Sequence, residues 1–272
     1  MNIEIRHIDS RDGYAACVAL QKETWGQDFA DAVPSSILMV SQRVGGITAG
    51  AFDESGEMVG CVYGLTGYKD GSPVHWSDIL AVKRKARGLG IGKRLKLFQR
   101  DELLRDGVET MYWTYDPLQA LNANLNFNSL GARPVEYVVD MYGETGSDLH
   151  SGLDTDRFIV RWDMASEQVE RTLAGMPSGP LPPDAQIAPI VNSNSVGTRP
   201  EPYEGDLPDL GMLRVEIPAS IDDAKRESAE IGARWRACTR RAFTYYLDKG
   251  YNASQFIRDS EGRYFYVLSA SE

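Results

Sequence analysis

Arg87, Gly88, Leu89, Gly90, Ile91 and Gly92 form a glycine-rich turn between an apolar run and an amphipathic segment, and they hold the clearest chemical potential in this chain. Glycine at 90 and 92 lets the backbone approach a ligand closely. Successive N–H groups can then point outward, and the unsatisfied N–H groups of a first helical turn favour an anion. A diphosphate fits such a turn. Lys83, Arg84, Lys85, Lys93, Arg94 and Lys96 crowd around it in a chain of formal net charge −10. Cations at a helix start oppose its macrodipole, which makes sense if a polyanion lies between them. A glycine-containing turn leading into a solvated basic helix is the plainer account of the same residues.

Two nucleotide-binding patterns do not fit. A dinucleotide-binding βαβ unit places its glycine turn after a first strand, and a phosphate loop needs Gly-Lys followed by Ser or Thr. Here four strand-like segments precede the turn, and Gly92-Lys93 is followed by Arg94.

The elements that must position this turn follow from periodicity. Residues 3–8 read as a strand, and two helices follow, one capped by Ser10 and one starting near Pro34. Residues 47–52 and 58–66 read as strands joined by a turn at 53–57, and residues 75–82 as an interior strand. A helix opening near Gly92 carries Ile91, Leu95 and Phe98 on one stripe and ends at Gly107. After a strand at 110–115, Asp116-Pro117-Leu118-Gln119 has the composition of a helix start, and Gly131 that of its end. Strands at 135–142 and 157–164 flank a loop rich in Gly, Ser and Asp. The order is strand, two helices, three strands, helix, strand, helix, two strands. That order mixes antiparallel meanders with one crossover and predicts an α+β fold with a mixed, mostly antiparallel sheet.

Beyond residue 163, residues 174–209 shift to Pro, Gly, Ser and Asn, so 164–211 is expected to be an extended linker. Residues 212–272 read as a smaller β-α-β-β unit, its helix capped by Ser220 and carrying Ile231, Trp235, Cys238, Ala242 and Tyr245 at helical spacing. Such a unit has little core of its own and is expected to pack on the first domain or on a dimer partner.

Composition bounds the function. With 272 residues, 42% hydrophobic and 25% charged, the chain is long enough for a substantial core. Its acidity argues against a general nucleic-acid partner, and no apolar run suggests a membrane partner. The start shows no secretory pattern, so the expected location is cytoplasmic. Cys17, Cys61 and Cys238 are far apart in sequence and accompany only three histidines, so no metal site and no disulfide framework is indicated.

Arg87, Gly90 and Gly92, preceded by the apolar Leu80, Ala81 and Val82, resemble the acetyl-CoA signature of the GNAT family of N-acetyltransferases. A second family segment, a helix with an aromatic followed by Gly and an apolar residue, is matched by Ala123, Phe127, Leu130, Gly131 and Ala132. The resemblance covers residues 1–163 and implies a GNAT-like acyl-CoA-binding domain. It implies acetyl-CoA, or another acyl-CoA, as co-substrate, held by Arg87, Gly88, Gly90, Gly92 and Lys93, with the pantetheine arm paired to the backbone near Leu80 and Val82. It further implies transfer of an acetyl or other short acyl group by direct attack of a small amine or amino-acid-like acceptor.

Asp78 shares the strand parity of Leu80 and Val82 and is the first candidate for the base, with a solvent-facing strand Asp as the alternative. The family often has Tyr where Phe127 stands, and Phe cannot protonate a leaving thiolate. Tyr115 or Tyr112 could substitute, or the thiolate could take its proton from water. The domain could also be a non-catalytic acyl-CoA-binding scaffold. Asn124 is the candidate for the family's cofactor-contacting Asn, and Asp116 is better explained as a cap. His150, in the loop with Ser147, Asp154 and Asp156, is a third catalytic candidate, with an exposed loop histidine as the alternative. Tyr63, Trp76, Trp113 and Tyr115 could wall an acceptor pocket, although aromatics at strand positions are more often core.

Overall fold

The structure is a computed structural model that describes residues 2–144, 146, 152–176, 184–196 and 199–271. The chain divides into two compact units. The first comprises Met1–Trp113, Glu144–Ser151 and Trp162–Ser166, and the second Thr114–Gly143, Gly152–Arg161 and Glu167–Glu272.

In the first unit the element order follows the expected one: β1 (Glu4–His7), α1 (Arg11–Trp25), α2 (Ser35–Arg43), β2 (Ile47–Phe52), β3 (Met58–Lys69), β4 (Ser72–Val82), α3 (Ile91–Arg105) and β5 (Thr110–Tyr115), the last two residues of β5 belonging to the second unit. The strands lie side by side in chain order. Neighbours from β1 to β4 are antiparallel, and β4 and β5 are parallel. The crossover between the parallel pair is α3, as such a connection requires. Ser10 caps α1 by accepting the Gly13 amide at 3.1 Å. Every residue of β2 is buried, so both of its faces are covered although only β1 separates it from the sheet edge. Ile8, Tyr14, Cys17, Leu20, Leu38, Cys61, Tyr63 and Ile79 form one apolar cluster between α1, α2 and the sheet. Cys17 and Cys61 are free, buried thiols within it.

The second unit contains α4 (Ala120–Asn124), which runs into a π-helical stretch at Leu125–Leu130. The antiparallel pair β6 (Arg133–Val138) and β7 (Arg157–Asp163) follows, the last two residues of β7 belonging to the first unit. Asp116 accepts the Leu118 amide at 2.9 Å, but the helix starts later, with Gln119 at its cap. The proline after Asp116 therefore closes a separate turn instead of opening the helix.

Two expectations for the C-terminal half need correction. Where an extended linker is expected, the described residues hold α5 (Glu167–Leu173) and an antiparallel pair, β8 (Ser193–Val196) with β9 (Arg199–Pro202). Prolines did not prevent order: β8 and β9 keep an antiparallel register, and a side chain ties the segment before them to residue 216. Asn192 donates to the Glu216 carbonyl at 2.9 Å and accepts the Glu216 amide at 2.8 Å. The long helix expected from Ser220 is two helices, α6 (Ile221–Glu227) and α7 (Ala229–Asp248). Ser228 adopts an extended backbone between them, and its hydroxyl caps α7 through the Glu230 amide at 3.1 Å.

Around α7 stands a three-stranded antiparallel sheet, β10 (Met212–Ile217), β12 (Tyr264–Ala270) and β11 (Tyr251–Arg258) in that spatial order. The two units do not follow the boundaries at 163 and 211. Phe127 and Phe158 share one interior with Phe243 and Tyr266, the Phe158 and Phe243 rings meeting edge to face at 4.7 Å. Among the described residues no helix is long and apolar enough to cross a membrane.

Candidate functional site

The glycine-rich turn lies wholly in the first unit. A short 3-10 turn, Arg84–Ala86, leads from β4 into it, and Gly90 caps α3 in the left-handed conformation at φ 71°. Gly88 is also left-handed, at φ 81°. A β-carbon at either glycine would meet no atom within 4 Å, so the requirement for glycine is conformational. The first intrahelical bond runs from the Arg94 amide to the Gly90 carbonyl at 3.1 Å. Among the described residues no protein oxygen accepts from the backbone N–H groups of residues 88–93, and no side chain caps the helix. Six successive amides at the positive end of a 15-residue helix therefore remain for an anion.

The surrounding positive charge is smaller than the sequence suggests. Lys83 and Lys85 both bind Glu57, and Lys96 is buried with Nζ 3.9 Å above the Trp113 ring, whereas Arg94 keeps its charge while donating to the Ile3 carbonyl at 2.6 Å. Arg84, Arg87 and Lys93 have no carboxylate partner among the described residues. Arg87 folds back so that Nε donates to the Val82 carbonyl at 3.2 Å, which joins the turn to the end of β4.

β4 has two features that open an edge beside this turn. Its parallel pairing with β5 covers Val74, His75 and Trp76, opposite Thr110, Met111 and Tyr112, and stops there. On its other side the register with β3 steps from Tyr63 opposite Ile79 to Gly64 opposite Ser77. Asp78 is thus the extra residue of a β-bulge, a device that re-aims side chains next to functional sites. Along β4, His75, Ser77, Ile79 and Ala81 are buried, whereas Trp76, Leu80 and Val82 are half-buried and Asp78 is exposed. Asp78, Leu80 and Val82 therefore share the open face, as their parity requires. Desolvation raises the Asp78 carboxyl above the usual carboxylate range. Repulsion from Asp31 adds to this, and a hydrogen bond with Trp76 opposes it. A carboxylate can keep one face open to solvent and still be desolvated when protein crowds its remaining sides.

Behind β4 lies a buried polar set that sequence reasoning missed: His75, Ser77 and Gln99. The expected α3 stripe of Ile91, Leu95 and Phe98 is instead Ile91, Leu95, Lys96, Gln99 and Leu103. Gln99, four residues after Leu95, was the available signal. Burial and the nearby Lys96 charge push His75 down to about 3, so its imidazole is neutral. Tyr63 and Trp113 are core residues. The Tyr63 hydroxyl lies 2.9 Å from Ser41 Oγ, and Trp113 meets Trp162 edge to face.

The remaining candidates belong to the second unit or fall outside the described residues. Tyr115 is buried, its hydroxyl 3.2 Å from that of Tyr266, which in turn donates to the Pro117 carbonyl at 2.8 Å. Its proton is thereby committed to Tyr266, and burial pushes the phenol well above its ordinary value. Phe127 is buried against Phe256 and Tyr266. Asn124 is exposed, and its Oδ1 accepts from Asn128 at 3.0 Å. Asp116 also accepts from Arg236 at 2.7 Å, and Arg240 binds Asp154 and Asp156, which gives those carboxylates structural partners. His150 and Ser147 lie outside the described residues. Among the described residues no group of three His, Cys, Asp or Glu side chains is placed to hold a metal ion.

No protein-family profile and no curated protein matches the chain. Many solved structures are similar to it over part of its length, three of them as follows. One is a chain of the NatC complex bound to Gag peptide and CoA, 17% identical, covering 60% of this chain and 99% of that one at a TM-score of 0.49. Another is the ribosomal-protein-S18-alanine N-acetyltransferase from Escherichia coli, 18% identical, covering 61% of this chain and 97% of that one at 0.45. The third is aminoglycoside 6'-acetyltransferase type Ii, 19% identical, covering 60% and 99% at 0.47. Each is a protein this chain resembles in backbone arrangement over part of its length, and the ligands and acceptors in those names are theirs.

Proposed function

We propose that this protein binds an acyl-CoA through the residue 88–93 amides and transfers its acyl group to a small amine or amino-acid-like acceptor. The reading is carried by the run of six amides at the start of α3, beside the open end of β4, for which the described residues offer no acceptor. The diphosphate would sit on those amides, with Arg84, Arg87 and Lys93 supplying positive charge. The pantetheine arm would pair with the β4 backbone near Leu80 and Val82, where β5 no longer occupies the edge. A main-chain N–H there would polarise the thioester carbonyl.

In the transfer step the amine nitrogen attacks the thioester carbon. A C–N bond forms, the C–S bond breaks, the sulfur leaves as thiolate, and the nitrogen loses a proton. Asp78, on the same face of β4, would accept that proton. Because Tyr115 is committed to Tyr266, the thiolate takes its proton from water.

Purified protein incubated with acetyl-CoA and a panel of small amines should release free thiol with at least one acceptor. No thiol release and no calorimetric CoA binding would remove the reading. The same commitment of Tyr115, together with Phe127 in the place of a family Tyr, favours a second reading, a non-catalytic acyl-CoA-binding protein. CoA binding with no thiol release across the panel would select it.

A further inference from the structure

We infer that Gln99 is a positioning residue for the proposed transfer: it pins the β4 bulge so that Asp78 faces outward. This rests on the reading of Asp78 as proton acceptor. The observations behind it are one directed hydrogen-bond chain and one forbidden side chain.

The Ser77 hydroxyl donates to Gln99 Oε1 at 2.8 Å. Gln99 Nε2, which can only donate, stands 3.3 Å from His75 Nε2, which must therefore accept. The imidazole proton is then on Nδ1, which donates to Thr66 Oγ1 at 3.0 Å. Thr66 passes the direction on, donating to the Gly45 carbonyl at 2.6 Å. The bonds run in one direction, and four segments are tied together: α3, β4, β3 and the turn before β2. The imidazole has room because residue 64 is glycine. A β-carbon there would stand 2.2 Å from His75 Nε2 and 2.5 Å from the Trp76 carbonyl oxygen.

A buried polar chain of this kind is not needed for stability, since well-packed apolar residues usually serve as well or better. What it can supply is register. A bulge inserts a residue without a partner, and a slip by one residue would turn Asp78 inward and Ser77 outward. Ser77 bound to Gln99 cannot turn outward, so Asp78 cannot turn in. Gln99 lies on the helix whose first turn carries the free amides, about 12 Å further along its axis. The anion end and the proton-accepting end of the site are thus fixed to one rigid element.

The test compares the native chain with Gln99→Leu, Ser77→Ala, Asp78→Asn and the double variant Gln99→Leu/Asp78→Asn. Gln99→Leu should lower kcat at least about tenfold and leave the calorimetric Kd for acetyl-CoA within about threefold. Combined with Asp78→Asn, it should cost less than about a further twofold, because its effect runs through the missing carboxylate. Multiplicative losses would overturn the inference. Ser77→Ala, a smaller perturbation, should act in the same direction and serves if Gln99→Leu does not fold. A readout independent of turnover is the carbon-13 NMR titration of the Asp78 carboxyl, which faces Asp31 and Trp76. Its midpoint should move toward the ordinary carboxylate value in Gln99→Leu. An unmoved midpoint overturns the positioning role, whereas absence of turnover in the native chain removes only the proposed function.

Discussion

Leu80 on β4 reaches the start of α3: its Cδ2 lies 3.8 Å from where a β-carbon on Gly92 would stand. The open face of the strand and the first turn of the helix therefore meet at ordinary van der Waals distance, and a methyl group fits between them. Gly92→Ala should leave the Kd for CoA within about twofold and raise helix stability by up to about 1 kcal/mol. Gly92→Val, whose branched side chain would stand over the amides that a diphosphate must approach, should weaken CoA binding at least about tenfold by calorimetry.

Gly90 makes a different demand. Its φ of 71° is left-handed, and nothing lies within 4 Å of its missing side chain. Gly90→Ala should therefore lose about 1–2 kcal/mol of conformational energy. The melting temperature should fall by a few degrees, and Gly90→Asn should fall less, since Asn tolerates this region. Equal stability of Gly90→Ala and the native chain in thermal melts would contradict this.

Asp78 connects activity with pH. Asp78→Asn should lower kcat about 10²- to 10⁴-fold without changing CoA affinity. Because the folded carboxyl titrates above its unfolded value, the folded chain holds the proton more tightly. That group's contribution to stability is then favourable at low pH and lost as pH rises through the window between the two values. Asp78→Asn should accordingly melt higher than the native chain at pH 7, and the difference should vanish below about pH 4. Melting curves at the two pH values check it.

His75 has the opposite linkage sign. Its folded value of about 3 lies below the ordinary 6.5, so the unfolded chain takes up the proton first and stability falls as pH drops below 6.5. Between pH 7 and 4.5 this amounts to about 2–3 kcal/mol at 1.36 kcal/mol per unit. Urea denaturation of His75→Gln should show a stability profile flatter by that amount.

In the second unit, Arg236 is buried, with Nη2 bound to Asp116 and no acceptor for Nε or Nη1 among the described residues. Asp116→Ala would strand that buried cation and should cost about 3–5 kcal/mol. Arg236→Met removes the charge itself, and Asp116 keeps the Leu118 amide, so its cost in denaturant melts should be clearly smaller.

Much of the first unit was legible because its signals are local. The alternation in β4, the Ser10 cap and the Gly88, Gly90 and Gly92 pattern are each read within a few residues, and each describes a conformation that the chain adopts. The bulge at Asp78 was not legible, because it is fixed by Gly64, Thr66, Ser77 and Gln99, which converge only in the folded chain. The positive halo was overestimated for a related reason. Charges counted in sequence include Lys83 and Lys85, which Glu57 neutralises, and Lys96, which is buried beneath the sheet. Tyr115 was a reasonable acid by strand position, yet its partner Tyr266, whose own proton goes to the Pro117 carbonyl, comes from a segment with no motif.

Backbone amide NMR during a CoA titration tests the central claim most directly, with pantetheine, which lacks the diphosphate, as the comparison ligand. The amides of residues 88–93 should shift and saturate together with CoA and stay in place with pantetheine. Saturating CoA that leaves those six resonances unmoved would contradict the account.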